Sequence, residues 1–157
     1  MPGHKELLQE FHQLALSAPN AERLMQTMCD RLHEGVSRYN WVGFYLVDKN
    51  DPRVLVVGAH TGSFTPNVRI PLDRGLCGAC ATTGMTIVVD DVRKDPRYYA
   101  GSDLVKSEMV VPIFAGKKLV GELDVESYFL ATFNTQERDF VEACAALVGD
   151  YFEKNPA

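Results

Sequence analysis

No run of lysine or arginine in these 157 residues is longer than Lys117-Lys118. With 16 basic against 21 acidic residues and a net charge of -5, the chain has no electrostatic footprint for nucleic acid or anionic lipid. Nowhere do about 18 apolar residues follow one another, and Met1-Pro-Gly-His-Lys-Glu6 has no basic region leading into an apolar core. No membrane association is expected, and a cytoplasmic protein is. The single Cys77-x-x-Cys80 has no second pair to complete a zinc site, and Gly75-x-x-Gly78 is not a phosphate-binding loop. No metal and no cofactor are expected. Internal repeats and low-complexity stretches are also missing, which leaves small molecules and proteins as partners.

What is there fits one domain spanning residues 1–157, with its core at about 20–152 and an N-terminal helix within 1–19, because two domains of this length would each have a thin core. Hydrophobic residues make up 46% and charged residues 24%, ordinary values for a folded globular chain. Leu7, Leu8, Phe11, Leu14 and Ala15 recur at helical spacing over His4 to Ser17, and Pro19 ends that stretch. Asn20 caps a second predicted helix with Ala21, Leu24, Met25, Met28 and Leu32 on its apolar face, closed at Gly35.

Strands are predicted over Trp41–Val47 and Arg53–Ala59 as a hairpin, then Val68–Pro71, and Thr86–Val89. A small-residue helix, Gly75–Thr83, closes at Gly84. A second hairpin, Met109–Ala115 with Lys118–Ser127, turns at Gly116-Lys117. Asn134 caps a last helix with Glu137 three residues on, its stripe formed by Phe140, Val141, Cys144, Leu147, Val148, Tyr151 and Phe152. The order implies an α+β domain, an antiparallel sheet with the terminal helices on one face. Cys29 and Cys144 fall on apolar helix faces, where a free thiol acts as a small hydrophobe. The terminal helices, His4–Ser17 and Asn134–Lys154, also predict pairing into a homodimer.

Alternation along Lys118–Ser127 puts Leu119, Gly121, Leu123 and Val125 on one face and Val120, Glu122, Asp124 and Glu126 on the other. The carboxylates suit either a solvated sheet face or the wall of a pocket. The strand Trp41–Val47 favours the pocket. Trp41, Gly43 and Tyr45 share one face and Val42, Phe44 and Leu46 the other, so neither looks solvated. Helices can cover one side, leaving the loops at 58–67 and 90–106 to cover the other. Rings beside carboxylates suit a ligand carrying an ammonium group. Glu108 points into the same space or belongs to a strand-entry turn. Acids clustered in a partly dry pocket have raised pKa values, which makes one a proton donor.

Cys77 and Cys80 stand at the start of a short helix, whose field favours thiolate over thiol. They are a redox pair, a metal half-site or structural cysteines.

The strings Asn40-Trp-Val-Gly-Phe-Tyr45, Val68-Arg-Ile-Pro71, Gly75-Leu-Cys-Gly78, Asp91-Val92, Ser107-Glu-Met-Val-Val-Pro-Ile113 and Gly121-Glu-Leu-Asp-Val-Glu-Ser127 resemble the GAF family. More narrowly they resemble its free methionine-(R)-sulfoxide reductase branch, over about residues 20–152. The resemblance implies a GAF-like (PAS-like) antiparallel sheet of about six strands, helices behind it and a loop-covered ligand pocket in front. It places the ammonium-binding and acid roles on Trp41, Tyr45, Glu108, Asp124 and Glu126, with Glu126 where the family favours aspartate. In that branch a thiolate attacks the sulfoxide, an acid protonates the oxygen and a second cysteine resolves the product.

Here the family's nucleophile aligns with Gly101 and a further family cysteine with Asn67, so only Cys77 is retained and Cys80 is additional. With Asp95-Pro-Arg-Tyr98 the strings also resemble small-molecule-binding GAF modules of sensors. The leading expectation is a stand-alone GAF domain that binds an amino acid or amine without sulfoxide reductase chemistry. The alternative is a divergent free methionine-(R)-sulfoxide reductase using Cys77 and Cys80. A third is an interaction module acting through its terminal helices.

Overall fold

The computed structural model describes residues 3–64, 66–99 and 102–156. Its elements are α1 (His4–Ser17), α2 (Ala21–Gly35), β1 (Trp41–Val47), β2 (Val54–Gly62), β3 (Arg69–Pro71), α3 (Gly75–Thr83), β4 (Ile87–Val89), β5 (Ser107–Ala115), β6 (Lys118–Ser127) and α4 (Thr135–Lys154). The strands form one antiparallel sheet in the order β3-β2-β1-β6-β5-β4.

The helix boundaries follow from capping. Asn20 Oδ1 accepts the Arg23 amide at 2.8 Å and Asn134 Oδ1 accepts the Glu137 amide at 3.0 Å, satisfying donors that the first turn leaves orphaned. The Glu137 side chain does not reach back to its own cap. It accepts the Tyr39 hydroxyl at 2.8 Å and so ties α4 to the chain entering β1. Gly84 ends α3 at φ 69°, a left-handed position that glycine takes without a Cβ penalty.

The apolar stripes pack where the helical periodicity puts them. Leu7 and Phe11 of α1, five residues of α2 from Leu24 to Leu32, and Phe140 to Tyr151 of α4 are buried together with Val42, Phe44, Leu123 and Val125 of the sheet. Cys29 and Cys144 sit in this helix-side core. A second core lies across the sheet, where α3 packs over β5 and β6 and joins Trp41, Tyr45 and Val110. Both faces of β1 are therefore covered.

Three details depart from the expected boundaries. β2 runs on to Gly62, because Gly62, Thr61 and His60 pair with Trp41, Val42 and Gly43; the loop cover starts at Ser63, not Gly58. β5 starts at Ser107, which pairs with Ser127. Val120 does not join the carboxylate face but packs against the helix-side core. The cause is a β-bulge: Ile113 pairs with Gly121 and Phe114 with Leu119, leaving Val120 as the extra residue, and an extra residue turns the strand locally.

Glycines set how closely Trp41 can lie on the sheet. A Cβ at Gly43 or Gly62 would overlap the indole ring. Gly43→Ala is expected to destabilise the domain by about 1–3 kcal/mol, the usual cost of overpacking, read as a lower urea midpoint with unchanged slope.

Candidate functional site

The strand alternation of β6 aims Glu122, Asp124 and Glu126 at the side away from the helices, and all three are buried, at 0%, 2% and 5% exposure. They do not face solvent. Glu108 is held inside β5, directly opposite Glu126 on one side and Val89 on the other, so it belongs to the same face and not to an entry turn. Two carboxyl groups directly across a ladder repel when ionised. β1 brings Tyr45 opposite Glu122.

α3 closes the space above these strands. Gly78 lets it lie tightly against the segment that follows β3: a Cβ there would come 2.7 Å from the Leu72 carbonyl oxygen. From α3 the Cys77 Sγ donates to Asp124 Oδ2 at 3.7 Å. One functional atom each from Cys77, Glu108 and Asp124 lie within 4.8 Å of one another, close enough to contact a single cationic group.

These three share one cavity with Tyr45, Glu126, Ile70, Gly75 and Leu76, covered by Phe64, Pro66, Asn67 and Tyr99. The free volume at its centre is about 20 Å³, room for about one water. Among the described residues no lysine or arginine lines it. The acids therefore lack an internal counter-charge, and burial disfavours their ionised forms.

Burial pushes the pKa of Asp124 from 3.8 up to about 6, even though hydrogen bonds from Glu108 and Cys77 pull it back down. Glu108 rises further, by burial first and then by the charges of Asp124 and Glu126. Glu126 rises by burial and by Asp124. Burial, reinforced by Asp124, also raises the Tyr45 hydroxyl. Burial thus opposes ionisation of each carboxyl group in the cavity.

The thiols behave differently from the sequence expectation. Burial and the surrounding acids, Asp124 foremost, push Cys77 well above its ordinary value, and burial together with Glu122 pushes Cys80 up as well. The field of a nine-residue helix does not overcome desolvation among carboxylates, so both groups rest as thiols.

Of the residues singled out by sequence, Tyr45, Glu108, Asp124, Glu126 and Cys77 meet in the cavity; Trp41 and Cys80 do not line it. Trp41 stands one layer back, its ring 5.5 Å from that of Phe64 and 6.2 Å from that of Tyr45. Cys80 is fully buried behind Cys77 in the same core. Gly101, where the resemblance puts the nucleophile, lies outside the described residues. Phe64 and Tyr99 of the cover escaped sequence reasoning, because loop residues carry no periodicity that would place them.

A family model described as GAF domain matches residues 18–153. The chain belongs to the GAF family. Relatives of this GAF domain include the free methionine-R-sulfoxide reductase of Saccharomyces cerevisiae, 33% identical over 110 residues that make up 69% of this chain and 61% of the yeast protein. The Escherichia coli protein of the same name is 26% identical over 85% of this chain and 79% of its own length. Three of the curated relatives are spanned over about three-fifths of their length, at 61%, 62% and 58%. Among solved structures, the free methionine-R-sulfoxide reductase of Neisseria meningitidis in complex with its substrate superposes with a TM-score of 0.89 at 32% identity, covering 96% of this chain and 88% of that one. Among the described residues no helix is long and apolar enough to cross a membrane.

Proposed function

We propose that this GAF domain reduces free methionine-(R)-sulfoxide, with Cys77 as the thiol that takes the oxygen. Of the two leading sequence expectations, the relatives support the reductase better than a binding module without chemistry. The observation that carries the proposal is the meeting of Cys77, Glu108 and Asp124 in one cavity, which puts an oxidisable sulfur beside two carboxyl groups.

The acids and Tyr45 receive the ammonium end of the amino acid through charge-assisted hydrogen bonds and the face of the ring. That cation supplies the counter-charge the cavity lacks and draws Asp124 and Glu126 toward their ionised forms. With Asp124 ionised, the Cys77 proton has an acceptor at 3.7 Å. Sulfur attack, with Glu108 donating to the sulfoxide oxygen, breaks the sulfoxide S–O bond. The substrate sulfur is reduced by two electrons to the thioether, and Cys77 is oxidised to a sulfenic acid that keeps the oxygen. A dithiol reductant supplies the two electrons that return Cys77 to the thiol, the oxygen having left as water.

A centre with room for about one water has to widen before an amino acid enters, and the Phe64 and Tyr99 side chains of the cover are the ones in the way. A closed, loop-covered space of this kind suits a free amino acid and rejects one with chain on both sides. Purified protein with dithiothreitol is therefore expected to release methionine from the free (R)-sulfoxide and not from the same sulfoxide inside a peptide. Saturable binding of the sulfoxide without any methionine release would return the protein to the ligand-binding reading.

A further inference from the structure

Glu122 is the one acid of β6 that does not line the cavity, yet it is fully buried, and among the described residues neither of its carboxyl oxygens has a hydrogen-bond partner of ordinary geometry. A carboxyl group left this way is costly unless it is neutral, because burial penalises the charge and each unpaired oxygen has lost its water. Its neighbours across the ladder, Tyr45 and Pro112, offer little relief, since proline has no amide proton. What does stand beside Glu122 are two thiols. Burial raises its pKa, and the Cys77 and Cys80 sulfhydryls partly oppose that rise. Cys80 itself is fully buried, and Glu122 is the largest electrostatic influence on it after burial.

This placement matters once Cys77 has been oxidised. Cys77 and Cys80 are three residues apart on α3, where Cβ atoms stand about 5–6 Å from each other. A disulfide needs them at about 3.8 Å, so the first turn of α3 has to tighten to join them. The reaction also needs protons moved. Cys80 must lose one to become a nucleophile, and the hydroxyl leaving Cys77 must gain one to depart as water. Cys80 is fully buried and does not line the cavity, so a group beside it has to take its proton.

We propose that Glu122 is the proton relay between the two cysteines. As the Cys80 sulfur attacks the sulfenic sulfur of Cys77, one Glu122 oxygen takes the Cys80 proton while the other gives its own to the departing hydroxyl. An S–S bond forms, an S–O bond breaks and one water leaves. Glu122 ends neutral, as it began, and no outside oxidant is consumed in this step. A neutral carboxylic acid with two free oxygens is suited to it, since one oxygen accepts while the other donates. The proposal makes Cys80 the resolving thiol. It rests on the reductase reading for its natural oxidant but not for its test.

The test uses hydrogen peroxide at one equivalent in place of the sulfoxide, with dimedone to trap sulfenic acid and mass spectrometry to locate both products. In the parent, Cys77 is expected to pass to a Cys77–Cys80 disulfide with little adduct. In Glu122→Gln, which keeps the shape, and in Glu122→Leu, which removes the polarity, disulfide formation is expected to slow about a hundredfold or more, the usual weight of acid-base assistance. The adduct then accumulates on Cys77, as in Cys80→Ser, while the first oxidation changes little. Adding Glu122→Gln to Cys80→Ser is expected to change nothing further.

Disulfide formation at the parent rate in both Glu122 variants overturns the relay, and so does a parent that never forms the disulfide. The same samples treated with free methionine-(R)-sulfoxide separate the two proposals. If peroxide oxidises Cys77 and the sulfoxide does not, the substrate assignment fails and the relay is judged on the peroxide data alone.

Discussion

Cys77→Ser is expected to lower methionine release by at least about a thousandfold, the scale on which removing a nucleophile acts, while leaving sulfoxide binding within a few-fold of the parent. No other thiol is placed to replace it. Cys80 lies behind it, fully buried, and Cys29 and Cys144 lie in the core on the far side of the sheet. Serine keeps the size of the side chain and most of its packing but cannot take the oxygen. Cys80→Ser is expected to behave differently, releasing methionine normally in the first turnover and slowing only when the reductant is limiting. If Cys77→Ser retained full turnover, the chemistry would belong elsewhere and the pocket assignment would fail.

Asp124→Asn is expected to make the protein more stable at neutral pH and nearly inactive. The folded-state pKa of Asp124 is raised, from 3.8 to about 6, so the folded state binds its proton more tightly than the unfolded chain does. Its contribution to stability is fully present below pH 3.8 and is lost as pH rises through 6. The loss reaches about 3 kcal/mol at neutral pH by the conversion of about 1.4 kcal/mol per pKa unit. Asparagine never ionises and escapes that loss. The gap in urea midpoint between variant and parent is expected to open between pH 4 and 6.5 and to vanish below about 3.5. Activity is expected to fall because the acceptor of the Cys77 proton is gone. Such a trade of stability for chemistry is common where a site stores unfavourable charge. A variant no more stable than the parent at pH 7 would show that Asp124 has a counter-charge in solution.

Most elements were legible in the sequence because their signals are local. The Asn20 and Asn134 caps, the glycine stop at Gly84 and the stripes of α1, α2 and α4 depend on residues a few positions apart. The carboxylate face of β6 was legible for the same reason, and two apolar faces on β1 correctly implied cover on both sides. What escaped depends on distant partners. The bulge that turns Val120 away follows from its pairing with β5, and the extension of β2 to Gly62 follows from its pairing with β1. Trp41 sits behind the cavity and not in its wall because Gly43 and Gly62 leave a bed for its ring. The direction of the Cys77 shift was missed because helix position is visible in sequence and the crowd of buried acids around the thiol is not.

The central claim is that Cys77, within its ring of acids, reduces a sulfoxide, and a single-turnover measurement tests it most directly. Protein freshly reduced and freed of reductant is mixed with one equivalent of free methionine-(R)-sulfoxide, then the methionine formed is counted and the oxidised residue located by peptide mass spectrometry. The account predicts close to one methionine per chain, with the oxidation on Cys77 and no methionine from Cys77→Ser. Unchanged sulfoxide with Cys77 still reduced would contradict it.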